Sequence, residues 1–222
     1  MLRLHSFHSS STSFRARIAL NLKGLVYETV PVDLRWKDGD QDSADYGAFN
    51  PQRNVPVLVD GDTRVMQSLA IVEYLEQQHP TPPLFPADAA GRARVLGLAL
   101  HVACEIQPLN NLRVQRRLAA TLGCEQPALS EWQRHWCQVG FDALERQLAG
   151  HPATGAFCHG DAPTAADCFL VPQVYNSLRP AVGLSLAPWP TIDRVYEHCL
   201  RQPAFEHALP RHQPGFFELK EH

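Results

Sequence analysis

Five consecutive hydroxyl residues, at positions 9–13, separate two segments of different periodicity near the start of the chain. The preceding residues 2–7 alternate between apolar and polar side chains, a pattern that predicts a strand. After the run, Phe14, Ile18 and Leu22 recur every four residues, which predicts a half-buried helix. The hydroxyl run therefore lies between the end of a strand and the N-terminus of a helix.

This location permits two interpretations of the hydroxyl run. The first N–H groups of a helix have no partners within the helix, and the helix dipole is positive at that end. A hydroxyl group there can help to bind an anion such as a thiolate, or it can simply cap the helix. One hydroxyl is enough for a cap, and both interpretations stay open. The first cysteine is Cys104, so a thiol bound at this helix would have to come from a separate molecule.

The rest of the first part of the chain predicts a small mixed sheet. Residues 26–34 alternate and predict a second strand, in which Pro31 favours an edge position. The polar residues 35–50 predict a loop with a short helix. Pro56 precedes the apolar residues 57–59, which predicts a tight turn with a cis peptide bond before the third strand.

A hairpin and a second helix complete this part. Residues 60–62 predict the hairpin turn, and residues 63–66 predict the partner strand. A helix then follows, with Ser68 as its expected N-cap and with Glu73 and Glu76 on its outer side. The first part thus has the predicted order strand, helix, strand, short helix, strand, strand, helix.

The second part of the chain predicts helices alone. The proline-rich residues 79–86 predict a linker between two domains. Thr164 and Asp167 form a pair like a capping box at the start of a helix that is apolar almost all round, which predicts a central, buried helix. The expected helices run through residues 92–107, 129–144, 164–174 and 192–200, with a short last turn around Phe205.

Composition limits the classes of function. The chain has 222 residues and a formal net charge of −3, with no run of basic residues that would indicate nucleic-acid binding. No apolar stretch approaches the roughly 20 residues of a membrane-spanning helix, and the first residues predict a strand and not a signal peptide. The six cysteines form no CxxC pair, which favours a reducing cytoplasm over disulfide bonds or a metal site.

Short motifs are spread along nearly the whole chain. They are residues 10–20, Asn50-Pro51-Gln52, Val55-Pro56, Gln67-Ser68, Ile106-Gln107-Pro108-Leu109-Asn110-Asn111, residues 160–167 and Leu170-Val171-Pro172-Gln173-Val174. In this order they resemble the zeta class of cytosolic glutathione transferases, the family of maleylacetoacetate and maleylpyruvate isomerases. The resemblance implies a two-domain α+β glutathione transferase fold, with an N-terminal thioredoxin-like α/β domain at residues 1–82 and an all-α helical domain at residues 88–222.

The resemblance also implies a glutathione site. Its catalytic residues are Ser10, Ser11 and Thr12, of which Ser10 hydrogen-bonds the glutathione sulfur. The implied glutathione-binding residues are Asn54, Val55, Pro56, Gln67, Ser68, Gln107 and Asn111. Many zeta enzymes carry cysteine at the position of Thr12, whereas the maleylpyruvate isomerase branch carries threonine.

A third group of residues is implied to bind the substrate. Arg179 matches an arginine that binds a substrate carboxylate in the family. The isomerases usually carry a further arginine at the position of Ser9, and a serine cannot offer a carboxylate the same bidentate contact. His8 and Arg113 are the residues that we expect to compensate.

The implied function is the glutathione-dependent cis–trans isomerisation of maleylpyruvate or maleylacetoacetate, through reversible addition of a thiolate. One alternative is a zeta-like transferase or peroxidase that acts on other electrophiles, which the serine at position 9 favours. Another alternative is a glutathione-binding ligand or stress protein without catalytic activity. The family resemblance also implies a homodimer.

Overall fold

The computed structural model describes residues 1–34 and 39–216 of the chain. Strand β1 (Leu2–Ser6) is followed by helix α1 (Ser11–Leu22), as the change of periodicity predicts. Gly24 has φ +65° and ends this helix in the left-handed turn that glycine favours. Strand β2 (Tyr27–Pro31) then runs parallel to β1. Strand β1 ends before the hydroxyl run, whereas α1 begins within it at Ser11, so the last three hydroxyl residues belong to the first turn of the helix and not to the connection that the sequence predicted.

The sheet has four strands in the order β2-β1-β3-β4. Helix α2 (Ala44–Phe49) precedes β3 (Val57–Asp60), which pairs antiparallel with both β1 and β4 (Thr63–Met66). Strand β2 lies at an edge, which confirms the prediction from Pro31. Within the predicted loop at residues 35–50, residues 35–38 lie outside the described part of the chain.

Helix α1 packs against helix α3 (Ser68–Gln78), and Phe14, Ile18, Ile71 and Leu75 are fully or almost fully buried. Burial of such apolar side chains is the main favourable contribution to folding, at about 25 cal/mol per Å² of apolar surface. The two helices and the sheet therefore form the core of this part of the molecule.

Two predictions about these helices were wrong. Helix α1 is buried on nearly all sides and not on one side alone, because Arg15 and Arg17 are buried with its apolar residues. In α3, Glu76 is buried and not exposed. Its carboxylate accepts a hydrogen bond from Lys23 Nζ at 2.5 Å, and the same ammonium group donates to Pro82 O at 2.6 Å. The buried ion pair of Glu76 with Lys23 was therefore not predicted from the sequence.

The second part of the described chain is helical, as predicted, but its helices differ in detail. The predicted helix at residues 92–107 is an α-helix followed by a π-helical stretch. The next helix, α5 (Leu112–Leu122), was not predicted from the sequence. The elements are α4 (Ala89–Leu100), the π-helical stretch His101–Ile106, α5 (Leu112–Leu122), α6 (Gln126–Leu148), α7 (Ala165–Leu178) and α8 (Pro190–Leu200).

Helix α7 is the central helix that the apolar sequence predicts, and each of its residues from 165 to 174 is buried. A capping box fixes its start. Asp167 Oδ2 accepts from Thr164 N and from Thr164 Oγ1 at 2.8 Å each, and Asp167 Oδ1 accepts from Cys158 N at 2.8 Å. Asp167 is therefore a structural residue, as the sequence analysis indicated.

Backbone contacts divide the chain into two compact units. One comprises Met1–Pro83 and the segment that begins at Gln202, and the other comprises Leu84–Arg201. Short helix α9 (Pro203–Glu206) thus belongs to the first unit, although we expected the second domain to run from residue 88 to residue 222. Residues 217–222 of that predicted domain lie outside the described chain. Among the described residues, no helix has the length and hydropathy needed to cross a membrane.

Candidate active site

The N-terminus of α1 is capped by Ser10, the first residue of the predicted catalytic group. Its backbone is extended, with φ −74° and ψ 122°, and its hydroxyl oxygen accepts from Ser13 N at 3.2 Å. Ser11 is the first helical residue and is buried. Capping uses an acceptor position of the Ser10 oxygen, so the Ser10 O–H is left to donate to another group.

Thr12 connects Ser10 to the turn that precedes Pro56. Thr12 Oγ1 donates to Val55 O at 2.8 Å, and the Ser10 and Thr12 hydroxyl oxygens are 2.8 Å apart. A hydroxyl group has one hydrogen, and that of Thr12 is directed to Val55, so Ser10 must be the donor to Thr12. Three of the predicted site residues are thus joined in one hydrogen-bonded chain, which we call the hydroxyl relay (Ser10, Thr12 and the Val55 carbonyl).

The turn before Pro56 is held by two further side chains. Tyr46 Oη and Asn50 Nδ2 both donate to Asn54 O, at 2.7 Å each. The Val55–Pro56 peptide bond is cis, as predicted. Burial raises the pKa of Tyr46 to about 12, so its hydroxyl remains a donor across the neutral range. These contacts fix the carbonyl next to Val55.

The sequence analysis missed both of these donors. Asn50 lies in the Asn50-Pro51-Gln52 motif that contributed to the family resemblance, but no role was assigned to it. Asn50 has no exposed surface and Tyr46 is 9% exposed. In the sequence, the position of Asn50 directly before a proline is the one local signal for it, and no pattern marks Tyr46.

The N-terminus of α3 carries the predicted pair Gln67-Ser68. The N-cap is Gln67 and not Ser68 as predicted, because Gln67 O accepts the first helical bond, from Ile71 N at 3.0 Å. Gln67 has φ 73°, which is unusual for a residue other than glycine and indicates a strained turn. Its exposed side-chain amide donates to Gln52 Oε1 at 2.7 Å. Ser68 is buried, and its hydroxyl accepts from Arg15 Nη1 at 3.4 Å.

A buried arginine that sequence reasoning also missed supports the loop before α1. The Arg17 guanidinium donates to Ser6 Oγ at 3.1 Å, to His8 O at 3.1 Å and to Ala208 O at 3.0 Å. A guanidinium group has five N–H donors in a fixed plane, so it can fix several acceptors at once. Arg17 therefore connects the end of β1, the loop that leads to Ser10 and the segment after Gln202.

His8 was predicted to bind substrate, and the structure places it in this loop. Its Nδ1 lies 2.7 Å from Ser9 Oγ, and its ring contacts those of Phe7 and Phe216, with centroid distances of 4.2 and 5.6 Å. The imidazole is thus oriented by Ser9. Its role in substrate binding stays a prediction.

The other predicted residues lie in the helical unit. Gln107 follows the π-helical stretch, and its N–H donates to Val102 O at 3.0 Å. Asn111 is the N-cap of α5, and its Oδ1 accepts from Arg113 N at 3.1 Å. Arg113 is exposed in the first turn of α5. Arg179 is the C-cap of α7, and its carbonyl accepts from Val182 N at 2.9 Å.

A buried thiol joins three elements of the helical unit. Cys137 Sγ, in α6, accepts from Asn110 Nδ2 at 3.2 Å, Ser177 Oγ at 3.3 Å and Gln173 Nε2 at 3.5 Å. Burial raises the pKa of the thiol, and these donors only oppose that shift. Cys137 is therefore a structural thiol that anchors Asn110 beside α7.

Comparison with known proteins finds two domain families that match parts of the chain. The family described as the glutathione S-transferase N-terminal domain matches residues 4–83, and the glutathione S-transferase C-terminal domain matches residues 140–201. The maleylpyruvate isomerase of a Ralstonia species is 46% identical over 213 residues, which cover 96% of this chain and 99% of that protein.

Solved structures agree with the sequence comparison. The holo structure of a zeta-class bacterial maleylpyruvate isomerase has a TM-score of 0.93 at 44% identity, covering 97% of this chain and 100% of that one. The maleylacetoacetate isomerase of Methylobacterium extorquens, solved with bound malonate and glutathione, has a TM-score of 0.91 at 39% identity, covering 96% and 98%. This chain therefore belongs to the glutathione S-transferase family, in the zeta class that contains the maleylpyruvate and maleylacetoacetate isomerases.

Proposed function

We propose that this protein is a glutathione-dependent cis–trans isomerase of maleylpyruvate or maleylacetoacetate, both of which are carboxylated enediones. The observation that carries the proposal is the position of the Ser10 hydroxyl, which caps the N-terminus of α1 and is joined through Thr12 to the Val55 backbone. The similarity to enzymes named for these two reactions supports the same choice.

The residues of the first unit fit glutathione. Glutathione has a thiol, two carboxylates and peptide groups, and it needs donors for its anionic groups and a backbone edge for its peptide. Ser10 at the α1 N-terminus suits a thiolate, and the N-terminus of α3 with Ser68 suits a carboxylate. We assign the Val55 backbone to the cysteinyl peptide group and Gln67 to the γ-glutamyl group, as the family resemblance implies.

Bound glutathione supplies a thiolate nucleophile, which adds reversibly to the substrate double bond and so permits rotation about it. Ser10 and the α1 N-terminus stabilise the thiolate. A hydrogen bond to a charged group contributes about 1.5–3 kcal/mol, and a helix N-terminus about 0.3–1 kcal/mol. The sum, about 1.8–4 kcal/mol, corresponds to a thiol pKa about 1.3–3 units lower. Since a free thiol has a pKa of about 8.5, this shift brings the pKa to about 5.5–7.2, so a large fraction of the bound thiol is ionised at neutral pH.

The substrate needs partners for its carboxylates and for the negative charge that develops on its carbonyl oxygens. We assign a substrate carboxylate to Arg179, whose guanidinium can bind it through two hydrogen bonds. We keep His8 and Arg113 as further cations for the substrate, and Gln107 and Asn111 as glutathione-binding residues. Ser11 would stabilise developing negative charge together with the α1 N-terminus.

The proposal is tested against its alternatives with three reactions of the purified protein. These are isomerisation of enzymatically generated maleylpyruvate, conjugation of glutathione to an aryl halide, and reduction of an organic hydroperoxide by glutathione. We expect isomerisation to be faster than the other two by at least about 100-fold in kcat/KM, a difference of about 2.7 kcal/mol in transition-state binding. A protein that conjugates or reduces but does not isomerise would be a transferase or peroxidase, and one that only binds glutathione would be a ligand carrier.

We also propose that the protein works as a homodimer in the cytoplasm. The dimer is an expectation from the family resemblance. The cytoplasm is supported by the six cysteines, all of which are free thiols. Light scattering in solution is expected to give twice the mass of one chain, and the mass of a single chain would contradict the dimer.

A further inference from the structure

The direction of the hydrogen bonds in the hydroxyl relay conflicts with the role of Ser10 as a donor to the glutathione sulfur. In this structure the Ser10 hydrogen is directed to Thr12 Oγ1, because the Thr12 hydrogen is directed to Val55 O. Ser10 can donate to a sulfur only if its O–H turns away from Thr12. The two hydroxyl oxygens would then lie 2.8 Å apart without a shared hydrogen, unless Thr12 turns as well.

We propose that the relay reverses when glutathione binds, an inference that rests on the proposed function. Ser10 O–H turns to the thiolate, Thr12 O–H turns from Val55 O to Ser10 Oγ, and an amide N–H of the ligand takes the place of Thr12 as the donor to Val55 O. Each hydroxyl keeps its own hydrogen, so the change needs two rotations about C–O bonds and no proton transfer. Thr12 is thus a positioning residue that acts through Ser10.

The reversal strengthens the Ser10 donor. Ser10 Oγ already accepts from Ser13 N at 3.2 Å, and after the reversal it would accept from Thr12 as well. A hydroxyl group that accepts hydrogen bonds is polarised and donates more strongly, above all to a charged acceptor. The reversed relay therefore stabilises the thiolate more than an isolated serine would.

The Val55 carbonyl makes the reversal depend on the ligand. Val55 is 5% exposed, and a buried carbonyl that loses its donor is costly. Thr12 can leave this carbonyl without that cost only when another N–H replaces its hydroxyl. A ligand with a peptide group beside its thiol meets this condition, whereas a simple thiol does not. The relay thus couples recognition of the glutathione backbone to activation of its sulfur.

The experiment compares the wild-type protein with Thr12→Val, which removes the hydroxyl, and Thr12→Ser, which keeps it. The ultraviolet absorbance of the bound thiolate is followed against pH, and calorimetry gives the glutathione Kd. We expect the pKa of the bound thiol to be about one unit higher in Thr12→Val than in wild type, which corresponds to a tenfold lower ratio of thiolate to thiol. In Thr12→Ser we expect this pKa to stay within about 0.3 units of wild type. We expect both variants to bind glutathione with a Kd within about threefold of wild type at a pH where the thiol is protonated.

The two measured quantities, the pKa of the bound thiol and the glutathione Kd, distinguish the relay from other roles of Thr12. An unchanged thiol pKa in Thr12→Val, or an equal rise in Thr12→Ser, overturns the relay, because the hydroxyl would then not act through Ser10. If Thr12→Val loses glutathione binding and thiolate formation to the same extent, the relay is also overturned, since that result indicates a purely structural role for Thr12. If Thr12→Val does not fold by circular dichroism, Thr12→Ala is measured with the same expectations. A wild-type protein that does not bind glutathione overturns the proposed function itself.

Discussion

At the scale of single residues, Tyr46 and Asn50 share one acceptor, the carbonyl of Asn54. Replacement Tyr46→Phe removes one of these two donors and leaves the ring in place. Because this bond holds the turn ready for the ligand, its loss can reduce the affinity by up to its own contribution of about 0.5–1.5 kcal/mol, so we expect the glutathione Kd to rise by up to about 12-fold. Calorimetry measures the change.

A second tyrosine provides the control for this prediction. Tyr74 Oη donates to Asp60 Oδ2 at 2.9 Å, and neither residue belongs to the predicted glutathione site. We expect Tyr74→Phe to leave the glutathione Kd unchanged. Equal effects of the two substitutions would mean that the Asn54 carbonyl has no special role in binding.

The buried pair of Lys23 and Glu76 allows a prediction about stability. The Lys23 side chain has no exposed surface and that of Glu76 is 11% exposed, so Glu76→Gln leaves an ammonium group buried without its counter-charge. We expect the free energy of unfolding to fall by about 3 kcal/mol. Urea denaturation measures this loss.

The exposed pair of Glu131 and Arg134 is the matched control. Their side chains are 70% and 35% exposed, and such pairs contribute at most about 1 kcal/mol. We therefore expect Glu131→Gln to change the free energy of unfolding by less than that amount. A similar loss in both variants would contradict the importance that we give to burial.

Single residues also show which contacts could not be predicted from the sequence. Helical periodicity predicted α3, but it placed Glu76 outside because a carboxylate is usually solvated. The partner of Glu76, Lys23, lies 53 positions earlier, and no local pattern connects them. The same holds for Tyr46 and for Arg17, whose acceptors depend on tertiary contacts.

At the scale of elements, the start of α7 depends on Asp167. Its carboxylate accepts from Thr164 N, Thr164 Oγ1 and Cys158 N, so Asp167→Ala leaves these three groups without that acceptor. Each buried unsatisfied group costs about 1–3 kcal/mol. We expect the free energy of unfolding to fall by at least about 3 kcal/mol in urea denaturation. Asp193→Ala, at an exposed position in the first turn of α8, is expected to cost less than about 1 kcal/mol, and comparable losses would contradict the prediction.

Elements with strong local signals were predicted correctly, and the others were not. The change of period around residues 9–13 placed β1 and α1, and the apolar sequence placed α7. The π-helical stretch His101–Ile106 could not be predicted, because its unusual hydrogen bonding depends on packing. Helix α5 was not predicted although Asn111 and Gly123 bracket it, because none of its residues is buried and no pattern of core residues marks it.

At the scale of the whole molecule, the chain consists of a sheet unit and a helical unit, as the sequence predicted. The return of the segment after Gln202 to the first unit was not predicted. It depends on contacts such as the bond from Asn21 Nδ2 to Ala204 O at 2.9 Å, which joins residues 183 positions apart. The motifs predicted the family, which the comparisons confirm, and the candidate site residues, whose roles stay predictions. The direction of the hydroxyl relay, in contrast, depends on distances between side chains and backbone that no motif specifies.

The most direct test of the account is the rate of maleylpyruvate isomerisation, followed by ultraviolet absorbance with and without glutathione. We predict that the wild-type protein isomerises only with glutathione, and that Ser10→Ala lowers kcat by about 10- to 100-fold through loss of the thiolate donor. Ser130→Ala, in α6, is the control and is expected to match wild type. Isomerisation without glutathione, or an undiminished rate in Ser10→Ala, would contradict the central claim that the α1 N-terminus activates a bound thiol.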